Sequence, residues 1–289
     1  MSTPISRRTA LTAMAGAVGS LAAARLPESA MQPQQPQLKG RIKQSACRWC
    51  YGNMPLDELC KIAQSVGLVG IDLLGENEWE TLRPYGLVCT MANGIGTIPE
   101  GWNRLENHDK LARDSERLIP LVAKAGIKNV ITFSGNRRGL SDSDGLRNCA
   151  EGLKRIMPVA EEHGVTVCME LLNSKRSHAD YQCDRTPWGV ELCKQVGSER
   201  FKLLYDVFHM QIMEGDICDT IKENIQYIGH FHTGGVPGRR EIDDTQEIYY
   251  PRVCKTIVDS GFQGYLAHEF IPARDPKASL AQAVSLCDV

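Results

Sequence analysis

From Arg41 onward the chain alternates short apolar or β-branched runs with amphipathic segments, and a single glycine marks the change from helix to strand. The marks are Gly67, Gly126, Gly164, Gly197 and Gly261. In the first such segment Pro55 suits a first helical turn, while Leu56, Leu59, Cys60, Ala63 and Val66 fall on one face. Gly67 then supplies a left-handed cap, and residues 68–73 read as strand. The same grammar predicts helices over 111–125 and 146–163, each followed by a strand, and another helix N-capped by Thr186 with Pro187 behind it.

Read to the end, the pattern predicts strands centred near Ala46, Ile71, Val88, Ile131, Val167, Leu204, Ile228 and Leu266. That makes eight units over residues 41–289, each of about 31 residues, the size of one βα repeat. Eight such repeats in one domain predict a (β/α)8 TIM barrel. A doubly wound open sheet is the alternative, but it usually brings a G-x-G-x-x-G turn after the first strand. Cys50-Tyr51-Gly52-Asn53-Met54 stands there instead.

In a TIM barrel the chemistry sits at the C-terminal ends of the strands, so a charged residue closing an apolar run is informative. Four successive runs close that way, at Glu170, Asp206, His232 and Glu269. Period-two alternation puts Cys168 with Glu170, Leu204 with Asp206, His230 with His232, and Ala267 with Glu269 on one face, read as the barrel interior. Three carboxylates and an imidazole brought together without a cation repel one another and lose hydration. A divalent ion is the simplest remedy, and a set rich in oxygen favours Mn²⁺, Mg²⁺ or Co²⁺ over Zn²⁺.

Composition narrows the partners. With 42% hydrophobic and 24% charged residues, the chain is neither disordered, collagen-like nor built as a membrane-embedded body. A formal charge of -2 offers no bulk attraction for nucleic acid. The 11 cysteines are scattered through apolar stretches and read as small core residues; Cys47 and Cys50 have C-x-x-C spacing without a second pair. Arg7-Arg8 ahead of an uncharged stretch ending in Ala22-Ala23-Ala24 looks like a twin-arginine export signal over residues 1–24, followed by a Pro/Gln-rich linker over 25–40. That implies handling by the twin-arginine export machinery and a periplasmic location, with an uncleaved signal acting as a membrane tether. Export of an already folded chain also suits a preloaded metal and unpaired thiols.

Met169-Glu170-Leu171-Leu172-Asn173, Asp206-Val207-Phe208-His209-Met210, His230-Phe231-His232-Thr233-Gly234, Pro237-Gly238-Arg239 and His268-Glu269 together resemble the sugar isomerase and epimerase barrels. That superfamily includes hydroxypyruvate isomerase, the tagatose and psicose 3-epimerases and endonuclease IV. In order and spacing the chain is most similar to the hydroxypyruvate isomerase group, which usually carries Gln at the place of His232, whereas the 3-epimerases carry His. The resemblance implies Glu170, Asp206, His232 and Glu269 as metal ligands, Glu170 and Glu269 as the acid/base pair, His209 as a holder of a substrate oxygen, and Arg239 as a partner of a substrate hydroxyl or carboxylate. A glutamate that the 3-epimerases place six residues beyond Glu170 is here Arg176.

The expected function is a metal-dependent isomerase of a small sugar or hydroxy-acid substrate, working by proton transfer through an enediolate. A ketose 3-epimerase, a keto-sugar lyase or hydrolase, and a non-catalytic sugar-binding barrel stand as alternatives. An endonuclease is disfavoured by the neutral charge and the supply of ligands, and a homo-oligomer is left open. Arg239, seven residues beyond His232, is expected to cover the mouth; Trp49 and Trp102 are candidate apolar walls, with ordinary packing the blander reading, and His178, in the loop after the fifth strand, is expected at the surface, with reach to the substrate as the alternative.

Overall fold

The computed structural model describes residues 37–289. The expected export signal and most of the expected linker lie outside the described residues. Among the described residues no helix is long and apolar enough to cross a membrane.

The strands are β1 (Lys43–Cys47), β2 (Gly70–Asp72), β3 (Val88–Cys89), β4 (Ala92–Ile95), β5 (Asn129–Thr132), β6 (Thr166–Glu170), β7 (Phe201–Asp206), β8 (Ile228–Thr233) and β9 (Tyr265–His268). They pair in parallel in the order β3-β2-β1-β9-β8-β7-β6-β5-β4. An isolated parallel bridge between Leu74 and Ala92 joins the end of β2 to β4, so β3 and β4 are two pieces of one barrel position and the ring closes. The architecture is the expected single (β/α)8 barrel. Its helices are α1 (Leu56–Val66), α2 (His108–Lys124), α3 (Asp142–Lys154), α4 (Met157–His163), α5 (Thr186–Val196), α6 (Val207–Met213), α7 (Ile217–Asn224), α8 (Tyr250–Asp259) and α9 (Pro276–Cys287).

All five glycine marks take positive φ, between 64° and 82°. At Gly67 the backbone N–H caps α1 by donating toward Ala63 and Gln64 carbonyls, and Leu59, Cys60, Ala63 and Val66 are buried as the periodicity requires. Three local expectations change. The helix expected over 146–163 is two helices, because Pro158 lacks the N–H that an unbroken helix needs and instead sits in the first turn of α4. Thr186 does not cap α5; its hydroxyl and its backbone N–H both donate to the Glu214 carboxylate, and α5 starts on Thr186 itself. The third barrel position is interrupted at Thr90–Met91. Thr90 bonds to Asp72 inside the barrel, and Met91 packs inside with Ile131, Cys168 and Leu204. Two successive inward side chains break the period of two that a regular strand imposes.

The cysteines are all free, and all but Cys218 are buried. The seam of the ring is the pairing of β1 with β9. Below it, Lys39 N donates to the Asp288 carboxylate at 2.9 Å. His268, on the outer face of β9, reinforces the seam: its Nε2 lies 2.9 Å from Gln44 Oε1, Gln44 Nε2 donates to Val284 O, and Thr233 Oγ1 lies 3.1 Å from Nδ1. Since the Gln44 amide nitrogen is committed to Val284, its oxygen accepts and His268 carries the proton on Nε2. Burial pushes the His268 pKa down from 6.5 to about 3. A depressed folded-state pKa means that this stability is fully present above pH 6.5 and drains away as the pH falls toward 3, roughly 5 kcal/mol in all. Urea unfolding across that window is expected to show the loss, and His268→Gln is expected to flatten it; an unchanged pH slope in the variant contradicts the assignment.

Candidate active site

The four strand-end residues meet at the C-terminal mouth of the barrel. Glu170 ends β6, Asp206 ends β7, His232 lies in β8, and Glu269 follows β9. Asp206 is also the N-cap of α6, its Oδ1 accepting from the N–H groups of Phe208 and His209. Register sets their heights: Asp206 is level with His232, and His232 with Ala267, two residues below Glu269. One donor atom from each of the four lies within 4.8 Å of the others, and all four residues are buried.

His232 Nδ1 is 2.6 Å from Glu269 Oε2 and 3.5 Å from Glu170 Oε1. Despite that closeness the geometry makes no hydrogen bond at Nδ1, so this nitrogen and the carboxylate oxygens face a common point; burial disfavours a charge on the ring, yet Cys47, Glu269 and Asp72 push its pKa well up. On the other side of the ring, Nε2 lies 2.8 Å from Asp72 Oδ2. Three carboxylate donors, one imidazole and an unpartnered buried nitrogen fit a divalent ion.

Arg239 supplies the positive charge that the protein itself brings. Its Nη2 donates to Asp206 Oδ2 at 2.6 Å and also to Glu269 Oε2. The guanidinium carbon lies 4.6 Å from the Phe208 ring centre and 5.8 Å from that of Trp49, and the Trp49 indole N–H donates to Glu269 Oε1. The loop after β8 turns Arg239 inward at φ 55°, with Arg239 N donating to Gly235 O and Arg239 O accepting from Ile271 N. A left-handed conformation at a non-glycine residue costs about 1 kcal/mol and persists where such contacts over-determine it.

The two glutamates are therefore unlike. Burial raises the Glu170 pKa to about 7, with the negative charge of Glu269 adding to the rise and His232 opposing it. Burial acts the same way on Glu269, yet Arg239 and His232 outweigh it and hold that carboxyl down to about 2.

His209 has a defined tautomer. Its Nδ1 accepts from Asn173 N at 3.2 Å and faces Asn173 Nδ2 at 2.6 Å, while Asn173 Oδ1 accepts from the N–H groups of Arg176 and Ser177. The proton is then on Nε2, and burial keeps the ring neutral by pushing its pKa well down. Arg239 Nη1 lies 3.1 Å from that Nε2, so two donors stand side by side. Asp206 Oδ2, which accepts from Arg239 Nη2, lies 3.6 Å from the same Nε2.

These groups open into a cavity of about 420 Å³, walled opposite the polar side by Leu73, Ile98, Ile131, Phe133 and Leu172. Trp49 lines it, as one of its two readings had it. Trp102 does not; it is fully buried, its indole N–H donating to Thr132 Oγ1 at 2.7 Å, because the loop after the third barrel position folds back over the strand ends. His178, expected at the surface, instead lines the cavity with its ring 5.3 Å from that of His209. Asp72 was not foreseen. It closes β2 inside the barrel, where burial raises its pKa, while His230 and His232 more than offset this and hold it well below the usual carboxylate range. Cys47 also reaches the site, its thiol 3.8 Å from His232 Nε2, but burial raises its pKa far above the ordinary thiol value. Its neighbour Cys50 is likewise a free buried thiol, raised by burial in the same sense, so neither cysteine offers a ready thiolate.

A family model described as the xylose isomerase-like TIM barrel matches residues 73–287. The 2-oxo-tetronate isomerase of Cupriavidus necator is 35% identical over 130 residues, 45% of this chain and 49% of that enzyme. The match thus spans about half of that relative's length. A Mus musculus protein provisionally named hydroxypyruvate isomerase is 27% identical over 270 residues, covering 91% of this chain and 92% of that protein. Among solved structures, the family 2 AP endonuclease of Brucella melitensis superposes with a TM-score of 0.76 at 19% identity, over 84% of this chain and 98% of that one.

Proposed function

The chain belongs to the xylose isomerase-like TIM barrel family, and from that premise we propose that it is a metal-dependent isomerase of a small hydroxy-carbonyl substrate, a sugar or hydroxy-acid, of the hydroxypyruvate isomerase kind. The observation that carries the proposal is the unequal pair of glutamates beside a donor set fit for a divalent ion. Glu170 meets no arginine or lysine, only His232 at 3.5 Å, and burial raises its pKa in the ion-free site; Glu269 is pinned by Arg239 and Trp49 and stays ionised. When bound, the ion supplies Lewis acidity, making the hydrogen on the carbon between a carbonyl and a hydroxyl easier to remove.

The ligands are Glu170, Asp206, His232 and Glu269, and the oxygen-rich set favours Mn²⁺, Mg²⁺ or Co²⁺. Glu170 takes the proton from the hydroxyl-bearing carbon and returns it to the former carbonyl carbon, while the hydroxyl proton passes to the former carbonyl oxygen. His209, through Nε2–H, and Arg239 hold substrate oxygens and stabilise the charge that develops on them. Trp49 and Phe208 flank Arg239 and limit water there.

A 3-epimerase reading is favoured by the imidazole donor His232 but needs Glu269 to exchange a proton on the opposite face, which its ion pairs disfavour. Proton NMR of hydroxypyruvate and of ketoses incubated in deuterated water with Mg²⁺ tests the proposal. Carbonyl migration to the neighbouring carbon, with deuterium entering at the former carbonyl carbon, is expected. Inversion at one carbon would replace isomerase by epimerase, and loss of a group would replace it by lyase.

A further inference from the structure

We propose that Asp72 is a positioning residue that fixes the tautomer of His232, so that Nδ1 presents a lone pair to the divalent ion; this rests on the metal-site reading above. The two residues are 160 positions apart, on strands separated by β1 and β9, and meet across the barrel interior with Asp72 Oδ2 2.8 Å from His232 Nε2. Both side chains are fully buried.

Asp72 is itself held from several sides. Thr90 Oγ1 donates to its Oδ1 at 2.5 Å, with Ser45 Oγ 3.0 Å beyond; the Cys47 thiol donates toward Oδ2 at 3.7 Å, and His230 Nε2 lies 3.2 Å from Oδ1. Every neighbour is a donor or an imidazole, so a carboxylate at this place can only accept, and His232 must present Nε2–H to it. With Nε2–H given to Asp72, the atom left to meet a cation is Nδ1, which lies beside Glu170 and Glu269. With both oxygens engaged on the interior side, Asp72 orients a ligand and is not one itself. An acceptor behind a ligating imidazole fixes its ring and raises its basicity, and losing such a partner weakens metal binding by about 10–100-fold.

The test is Asp72→Asn, which keeps size but lets an amide N–H donate to Nε2 and so moves the ring proton to Nδ1. Calorimetric titration with Mn²⁺ is expected to give an affinity about 10–100-fold weaker than that of the parent, with far-ultraviolet circular dichroism unchanged. Thr90→Val, which removes one bond to Asp72 and none to His232, is expected to lose less. Nitrogen-15 histidine spectra of the unsubstituted chain loaded with Zn²⁺ as a diamagnetic probe give a second measurement that does not depend on a variant folding: a proton on His232 Nε2 and metal on Nδ1 support the proposal. Mn²⁺ affinity within twofold of the parent in Asp72→Asn, or a His232 protonated on Nδ1 in the loaded parent, overturns the role of Asp72 alone. A parent chain that binds neither Mn²⁺ nor Zn²⁺ overturns the metal reading along with it.

Discussion

Glu170→Gln is expected to lower turnover of the hydroxy-carbonyl substrate by about 10²–10⁴-fold, the usual worth of a general base. The amide keeps the shape and one oxygen of the side chain but cannot take a proton. Glu170 is the group to test because no arginine or tryptophan engages its carboxylate, whereas Glu269 accepts from Arg239 and Trp49. Since a glutamine oxygen is also a poorer ligand, Mn²⁺ content must be measured beside the rate and the assay run at saturating ion. The decisive reading is exchange of the substrate's carbon-bound hydrogen with deuterated water. Exchange that continues at the parental rate in a metal-loaded Glu170→Gln would remove Glu170 from the proton-transfer step.

The second large effect is on stability, and it comes from Arg239. Its side chain is only 12% exposed and pairs with two carboxylates that are more deeply buried still. Removing one member of a buried pair leaves the other charge without compensation and costs about 3–5 kcal/mol. In the presence of a chelator, Arg239→Met is therefore expected to unfold in urea with that much less stability than the parent. A divalent ion can replace the lost charge, and at 100 times its dissociation constant it contributes about 2.7 kcal/mol through binding to the folded state alone. The gap between chelated and Mn²⁺-loaded stability is thus expected to be wider in the variant than in the parent. Equal stability of the two chains in chelator would mean that the cluster does not need this cation.

The barrel was legible because its signals are local. A glycine that must take positive φ ends a helix wherever it falls, and Gly67, Gly126, Gly164, Gly197 and Gly261 all do so. Glu170, Asp206, His232 and Glu269 were legible for a related reason: each closes an apolar run, and strands of a barrel place their ends on one face. Asp72 obeys the same rule less visibly. Leu73 and Leu74 follow it, so the apolar run does not stop at the charge, and its importance depends on His232, far away in the chain. The break at Thr90–Met91 was hidden because it arises from Thr90 turning toward Asp72, a contact between strands. His178 looked like a surface histidine because its neighbours Lys175, Arg176, Ala179 and Asp180 are indeed exposed; only the path of the loop brings its ring over His209.

The seam between β1 and β9, clasped by the bond from Lys39 to Asp288, makes the order of strands cyclic. Each barrel position has a neighbour on either side, and none is first except by the place where the covalent chain happens to open. Covalent continuity between the regions of Asp288 and Lys39 would require only a short linker, and an opening made instead in an exposed loop would leave every parallel pairing intact. In topological terms the active-site residues belong to a circle on which Asp72 stands as one more member, next round the ring after Glu269 and β1.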